Sequence, residues 1–218
     1  MAKEKLDYKK KYKDLYSPKT KATLIDVPTM NFIMVDGEGN PNDEGGAYQS
    51  AVELLYGLSY IIKMSKKMEY QPVGYFDYVV LPLEGLWWLE NDNMDLTQKD
   101  KYRWTVMIRQ PEFVTKEVFE WACAELKIKK PKIHISKAHF ETFTEGLCVQ
   151  IMHIGPYDAE PKTIAQIETF IKEQNLKNAI SSIKVNGNIR RHHEIYLSDP
   201  RKTKPEKLKT VLRHPVQY

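Results

Sequence analysis

Two cysteines, Cys123 and Cys148, are all the thiols in these 218 residues. They form no Cys-x-x-Cys pair, so no disulfide framework is available and a reducing compartment suits the chain. No apolar run approaches the ~20 residues of a membrane span, and the lysine-rich start lacks the apolar stretch of a signal peptide. A soluble, cytoplasmic protein without a membrane partner is the expectation. Basic surface is short as well. The net charge is +4, but eight lysines against Glu4, Asp7 and Asp14 give the first 21 residues a local +5, leaving the rest near −1. That balance leaves no basic face large enough for a nucleic-acid groove, so no direct nucleic-acid partner is expected. Residues 1–21 read as a solvated, flexible arm.

Several chemistries are missing too. Asp36-Gly37-Glu38-Gly39-Asn40 lies between a strand and a helix, but Asn42 stands where a dinucleotide fingerprint needs its third glycine, and no Lys-Ser/Thr follows for a phosphate loop. As a calcium loop it places Pro41 where the central glycine belongs. No Gly-x-Ser-x-Gly elbow occurs, and neither cysteine has an evident activating partner. His192 and His193 are consecutive on a strand and point to opposite faces, so they cannot chelate together, and His134 and His139 lack helical i, i+4 spacing. Neither a metal nor an organic cofactor is expected.

What is present is core material, 42% hydrophobic residues, in an order that occurs twice. The first pass runs from a strand over Asn31 to Glu38 to a helix with Ala51, Leu54, Leu55, Leu58, Ile61 and Ile62 at helical spacing. It continues with strands from Tyr75 to Leu81 and, after a long insertion, from Arg103 to Arg109. The second pass has a strand from Leu147 to Ile154 and a helix carrying Ile164, Ile167 and Ile171, capped by Asp158. A turn at Asn186-Gly187 follows, then strands over His192 to Leu197 and Thr210 to His214. Thr105-Val106-Met107-Ile108-Arg109-Gln110-Pro111 and Thr210-Val211-Leu212-Arg213-His214-Pro215 end the two passes alike. A helix from Thr115 to Lys127, with Trp121 on it assigned to the core, joins them. The fold class expected is therefore α+β. Duplicated strand–helix–strand–strand units, about 22–111 and 136–218, form one domain over 22–218 with an antiparallel sheet, helices on one face and a cleft between the halves.

Two features mark that cleft. Glu194 sits on a predicted strand, where a carboxylate is costly to bury unless something requires it. Aligning Leu81-Pro82-Leu83 with Leu197-Ser198-Asp199 sets Tyr78 opposite Glu194. The tryptophans are the other: Trp87 and Trp88 at the start of the insertion and Trp104 at its return offer flat walls for a planar ligand, although one of each adjacent pair ordinarily packs into the core.

Gly155-Pro156-Tyr157-Asp158, then Glu194-Ile195-Tyr196-Leu197-Ser198-Asp199-Pro200, Pro205-Glu206-Lys207-Leu208 and a last strand ending Pro215-Val216 resemble the GyrI-like small-molecule-binding domain. The resemblance is specific in the second half. In the first half a glycine-rich loop replaces the Gly-Pro-Tyr. It implies a hydrophobic, aromatic cleft with one acid at its floor, as in drug-sensing halves of transcription regulators, a gyrase inhibitor, and stand-alone hydrolases of cyclopropane-bearing DNA alkylators. Glu194 matches the family's functional glutamate and Tyr157 its Gly-Pro-Tyr tyrosine. A regulator needs a DNA-reading helix-turn-helix, and the 21 residues before the first strand are too few for one. The expectation is a cyclopropanoid hydrolase that detoxifies planar hydrophobic molecules, with Glu194 and Tyr157 catalytic and Tyr78, Trp87, Trp88, Trp104 and Tyr196 lining the site. A non-catalytic module that sequesters or senses such ligands is the alternative, and the oligomeric state is open.

Overall fold

The computed structural model describes residues 5–89, 98–185 and 188–218. Two short helices, α1 (Tyr8–Lys11) and α2 (Lys13–Tyr16), precede β1 (Thr23–Val27) and β2 (Met30–Glu38). Then come α3 (Ala47–Met64), β3 (Leu83–Trp88), β4 (Arg103–Arg109) and α4 (Lys116–Lys129). The second half holds β5 (Ala138–Phe143), β6 (Gly146–Ile154), α5 (Glu160–Glu173), β7 (Lys177–Asn178), β8 (Ser181–Val185), β9 (Asn188–Arg190), β10 (His192–Tyr196) and β11 (Lys209–Gln217). Among the described residues, eight strands lie in the order β1-β6-β11-β10-β3-β4-β2-β5, with β7 paired to β11, while β8 and β9 form a separate ribbon. The expected mixed fold with a large antiparallel sheet is what forms.

The order is symmetric about the β10–β3 seam. One half is β2-α3-β3-β4 and the other β6-α5-β10-β11. Gly39 N–H donates to the Tyr102 carbonyl at 2.8 Å, and Gly155 N–H donates to that of Leu208 at 3.0 Å, which sets the equivalence. Following the ladders inward, Trp104 corresponds to Thr210, Trp87 to Tyr196 and Gly85 to Glu194. The outer strands are exchanged: β1 pairs with β6 of the second half, and β5 with β2 of the first. Neither outer strand was expected from the sequence.

Period-2 alternation sorts the sheet residues. Ile151 and Leu212 pack with Ile167 and Ile171 of α5, and Trp87 and Trp104 meet Tyr48 of α3, so these side chains lie on the helix-covered face. Gly37 is required there, because a Cβ would fall 2.2 Å from the Trp104 ring. Thr115 caps α4, accepting from Val118 N–H. Trp121 of that helix is half-buried and lies 4.6 Å from the Tyr70 ring.

The opposite face corrects the flexible-arm expectation. Tyr8, Leu15 and Tyr16 are buried there. The Arg109 guanidinium sits 4.8 Å from the Tyr8 and Tyr12 rings, Gln150 donates to the Asp14 carbonyl at 2.7 Å, and Arg213 donates to that of Leu15. Lysine abundance concealed a period of apolar residues at Leu6, Tyr8, Tyr12, Leu15 and Tyr16 that docks on the sheet.

Other expectations change as well. The segment from Tyr75 to Leu81 is not a ladder strand; among the described residues its pairing is a single parallel bridge from Tyr78 to Leu6. Pro72 and Pro82 bracket it and lack the N–H groups a central strand must donate. The strand of this region is β3, so Trp87 and Trp88 belong to the sheet and not to the insertion. The position across from Glu194 is therefore Gly85, not Tyr78. Asp158 does not cap α5: a 3-10 turn, Tyr157–Ala159, leads in, Pro161 occupies the first helical turn, and Asp158 is exposed, ion-paired to Lys99 at 3.0 Å. The Asn186-Gly187 turn lies outside the described residues.

Candidate functional site

Alternation along β10 puts His192, Glu194 and Tyr196 on the helix face and His193 on the other. Glu194 retains 9% of its surface. Around it converge residues from both halves: Tyr48 near the start of α3, Trp87 on β3, Tyr157 in the turn before α5, and Glu160 at the first position of α5. Tyr48 stacks on Trp87 at 5.5 Å, Trp87 Nε1 donates to the Tyr196 hydroxyl at 2.9 Å, and the Tyr157 and Tyr196 rings meet edge-on at 5.8 Å. Burial first and the Glu194 charge second push all three phenols up, Tyr157 to about 12. They therefore stay protonated and can donate.

Glu160 is the residue the sequence reading missed. It is buried, and its Oε1 has no hydrogen-bond partner among the described residues. Burial, then the neighbouring Glu194 charge, raises its pKa far above the ordinary carboxylate range. Two carboxyl groups this close do not both ionise readily, so one is held neutral. On the other side of Glu194, His192 Nε2 lies 3.0 Å from Oε1, and His192 Nδ1 lies 2.8 Å from His214 Nε2. Burial, then His192, lowers the His214 pKa to about 3.

One donor atom each from Glu160, His192 and Glu194 lies within 4.8 Å of the others, a set able to hold a divalent cation. His192 and His193 do face opposite sides, and the third donor of this trio comes from α5, more than thirty residues away in sequence. On the arm face His193 lies 3.0 Å from Glu145 and 3.2 Å from Glu84, and Arg213 is 3.5 Å from Glu145.

Two related halves that meet at a strand-borne glutamate ringed by aromatic side chains are the arrangement the sequence motifs pointed to. The family comparison decides the matter, since residues 20–217 match the GyrI-like small molecule binding domain. The chain belongs to the GyrI-like family.

Similar solved structures extend that result. A crystal structure of a hydrolase from Listeria innocua is 47% identical, with a TM-score of 0.87 over 98% of this chain and 100% of that one. An uncharacterized conserved protein from the same organism is 49% identical, with a TM-score of 0.90 over 98% and 100%. The EcmrR C-terminal domain, 12% identical with a TM-score of 0.55 over 90% of this chain and 97% of that one, shares the fold. None of the curated proteins matches the chain.

Within this GyrI-like domain the residues singled out from sequence divide into three groups. Glu194, Tyr157, Tyr196 and Trp87 come together. Trp104 stands behind them as buried support, edge-on to Tyr48 at 5.4 Å and donating through Nε1 to the Gly39 carbonyl at 3.3 Å. Tyr78 and Trp88 do not join them. Tyr78 packs against Phe76 and Phe113 with the Lys63 ammonium 5.2 Å from its ring, and Trp88, one residue from Trp87, carries the Arg191 guanidinium at 4.7 Å. Tyr48 and Glu160 went unseen because each opens a helix, where chemistry leaves no periodic mark. Gly155-Pro156-Tyr157 was the available pointer, since a turn that delivers Tyr157 also delivers the next helical residues. Among the described residues no helix is long and apolar enough to cross a membrane.

Proposed function

We propose that the chain is a hydrolase acting on planar, hydrophobic small molecules, and that its substrates are cyclopropane-bearing alkylators of the duocarmycin and yatakemycin type. The observation that carries this reading is a pair of neighbouring buried carboxyls, Glu160 and Glu194, beside four aromatic side chains. Its hydrolytic part is supported by the similar Listeria structure described as a hydrolase. Its substrate part rests on the family resemblance and on the flat aromatic surfaces.

In this mechanism the fused ring system lies against Trp87 and Tyr48. Glu194 accepts a proton from a water whose oxygen bonds to the strained ring carbon; such a base contributes ~10²–10⁴-fold. The carbon–carbon bond of the cyclopropane breaks, and its electron pair passes through the dienone to the oxygen, which becomes a phenolate. Tyr157 O–H donates to that oxygen and stabilises the developing charge. Glu160, neutral, adds no second negative charge and offers the water another hydrogen-bonding group. Ring strain and gained aromaticity lower the intrinsic barrier, so one base and one donor suffice.

Mass analysis of a duocarmycin-type compound after incubation with purified protein tests the reading. Many equivalents of water adduct per protein are expected. Unchanged compound retained at one equivalent would instead establish the non-catalytic alternative, which a carboxylate amid aromatic rings also suits through cation binding.

A further inference from the structure

Residues two apart on a strand share a face, so β10 turns His192 and Glu194 the same way. The strand is paired on both sides, by β11 and by β3, which holds the two side chains on a rigid base. His192 Nε2 lies 3.0 Å from Glu194 Oε1. An imidazole nitrogen and a carboxylate oxygen bound to one Zn2+ stand about 2.9–3.4 Å apart at ordinary coordination angles. The strand therefore already spaces two ligand atoms for one ion.

Glu160, the first residue of α5, brings a third donor within 4.8 Å of both. A second observation is independent of that spacing. Glu160 is only 3% exposed, and its Oε1 has no hydrogen-bond partner among the described residues. Polar atoms this deep are ordinarily satisfied, so a bare carboxyl oxygen beside a second carboxyl and an imidazole marks a place for a further group. We propose that Glu160, His192 and Glu194 form a binding site for one first-row divalent cation, best filled by Zn2+.

The donor set selects the ion. One nitrogen and two carboxylate oxygens suit Zn2+, whereas Cu+ prefers sulfur and Ca2+ and Mg2+ prefer oxygen alone. Two carboxylates balance the charge of a dication, which matters where little water reaches. Three protein ligands leave a position for water. Opposite ligands of one Zn2+ lie about 4.2 Å apart, so rotation of the Glu160 side chain is all the closure required. Behind the site, His214 Nε2 lies 2.8 Å from His192 Nδ1 and fixes the ring that would ligate. A cation bound here takes the Glu194 oxygen on which the proposed base depends. The site is thus an addition to the hydrolase reading and not a step in it.

Calorimetric titration of ZnCl2 into the full chain without a histidine tag tests the site with no substrate present. One equivalent should bind with micromolar affinity or better, and excess Mg2+ should not displace it. Glu160→Gln and His192→Gln should each weaken binding about tenfold or more. His139→Gln is the surface control, because His139 sits near Asp36 and Glu141 at 3.8 and 3.7 Å on a more exposed strand; it should bind as the wild type does. Nitrogen-15 NMR of the wild type needs no variant to fold: Zn2+ should move the His192 Nε2 resonance and leave that of His139 in place. Absence of stoichiometric binding, an unmoved His192 resonance, or binding lost in His139→Gln and kept in the other two variants would overturn the proposal. Equal binding of Mg2+ would do so too, since it would mean a diffuse acidic attraction and no built site.

Discussion

Glu194 and Gly85 are partners across the seam of the duplicated sheet and also equivalents under its pseudo-twofold. One half contributes the acid, and the other contributes the absence of a side chain. That absence is used: a Cβ at Gly85 would lie 2.7 Å from Trp87 Nε1 and 3.2 Å from the Tyr196 hydroxyl. Gly85→Ala should therefore push the indole off Tyr196, cost about 1–3 kcal/mol as overpacking does, and raise KM more than it lowers kcat. Thermal melts and steady-state kinetics check this, and a variant with wild-type KM would show that the Trp87–Tyr196 contact plays no part in binding.

Glu194→Gln and Glu160→Gln should separate the two carboxyls. The first removes the proton acceptor while keeping its volume, so turnover should fall ~10²–10⁴-fold with ligand affinity largely kept. The second replaces a group already neutral by an isosteric amide, so the loss should be several-fold only. Rates from the water-adduct assay, with calorimetric affinities, decide between the roles. Equal and large losses would show that Glu160 also transfers a proton.

How far the sequence could be read follows from these residues. Strand and helix periodicity revealed the duplicated units, because cores demand it, and the tail motif marked Glu194 and Tyr157. Alternation is silent about partners, so the exchange of β1 and β5 and the pairing of Glu194 with Gly85 were hidden. Matching Leu81-Pro82-Leu83 to Leu197-Ser198-Asp199 sets Tyr78 opposite Glu194, whereas the hydrogen-bond register shifts the match along β3 to Gly85. The adjacent tryptophans could be told apart only once the strand was placed, since one face or the other follows from a single residue of register.

The three tryptophans should behave differently. Trp87→Ala removes the ring on Tyr48 and should weaken binding of a planar neutral ligand by ~0.5–1.5 kcal/mol beyond lost burial. Trp88→Ala, on the far face under Arg191, should leave KM unchanged. Trp104→Ala vacates a fully buried site and should cost about 3–5 kcal/mol of stability. Added salt should alter affinity for a neutral ligand little. An unaffected KM in Trp87→Ala, or affinity that collapses with salt, counts against an aromatic cleft.

Deleting residues 1–17 should destabilise the domain. Three side chains, Tyr8, Leu15 and Tyr16, leave buried positions, and at roughly 1.5 kcal/mol or more each the loss exceeds ~4 kcal/mol, on the order of 10 °C in Tm. Arg109, Gln150 and Arg213 lose partners in the same step. A truncated protein that melts with the full chain would mean that the arm's contacts contribute nothing net.

Stability should fall on the alkaline side, with His193 as one cause. Burial alone would lower its pKa, but Glu145 and then Glu84 outweigh burial and hold it at about 9, against an ordinary 6.5. Because the folded value is raised, the stabilisation is complete below 6.5 and is lost as pH rises through about 9. Glu160, also raised, acts in the same sense but from lower pH, since its loss begins above the ordinary 4.5. His214, lowered to about 3, works oppositely: its contribution is present above 6.5 and fades as pH falls. Burial would raise the Glu145 pKa, but His193 and Arg213 outweigh it and hold it at about 2, so a further loss sets in as pH falls from the ordinary 4.5 through about 2. Stability should therefore be roughly level between 4.5 and 6.5, where the His214 gain and the Glu160 loss oppose each other, and fall on either side. Urea melts across pH separate the two alkaline contributions. Glu160→Gln should abolish the decline that starts just above the ordinary carboxylate value and keep the one between 6.5 and 9. His193→Gln should do the reverse. A Glu160→Gln protein whose stability no longer varies between 6.5 and 9 would show that His193 is not charged in the folded state.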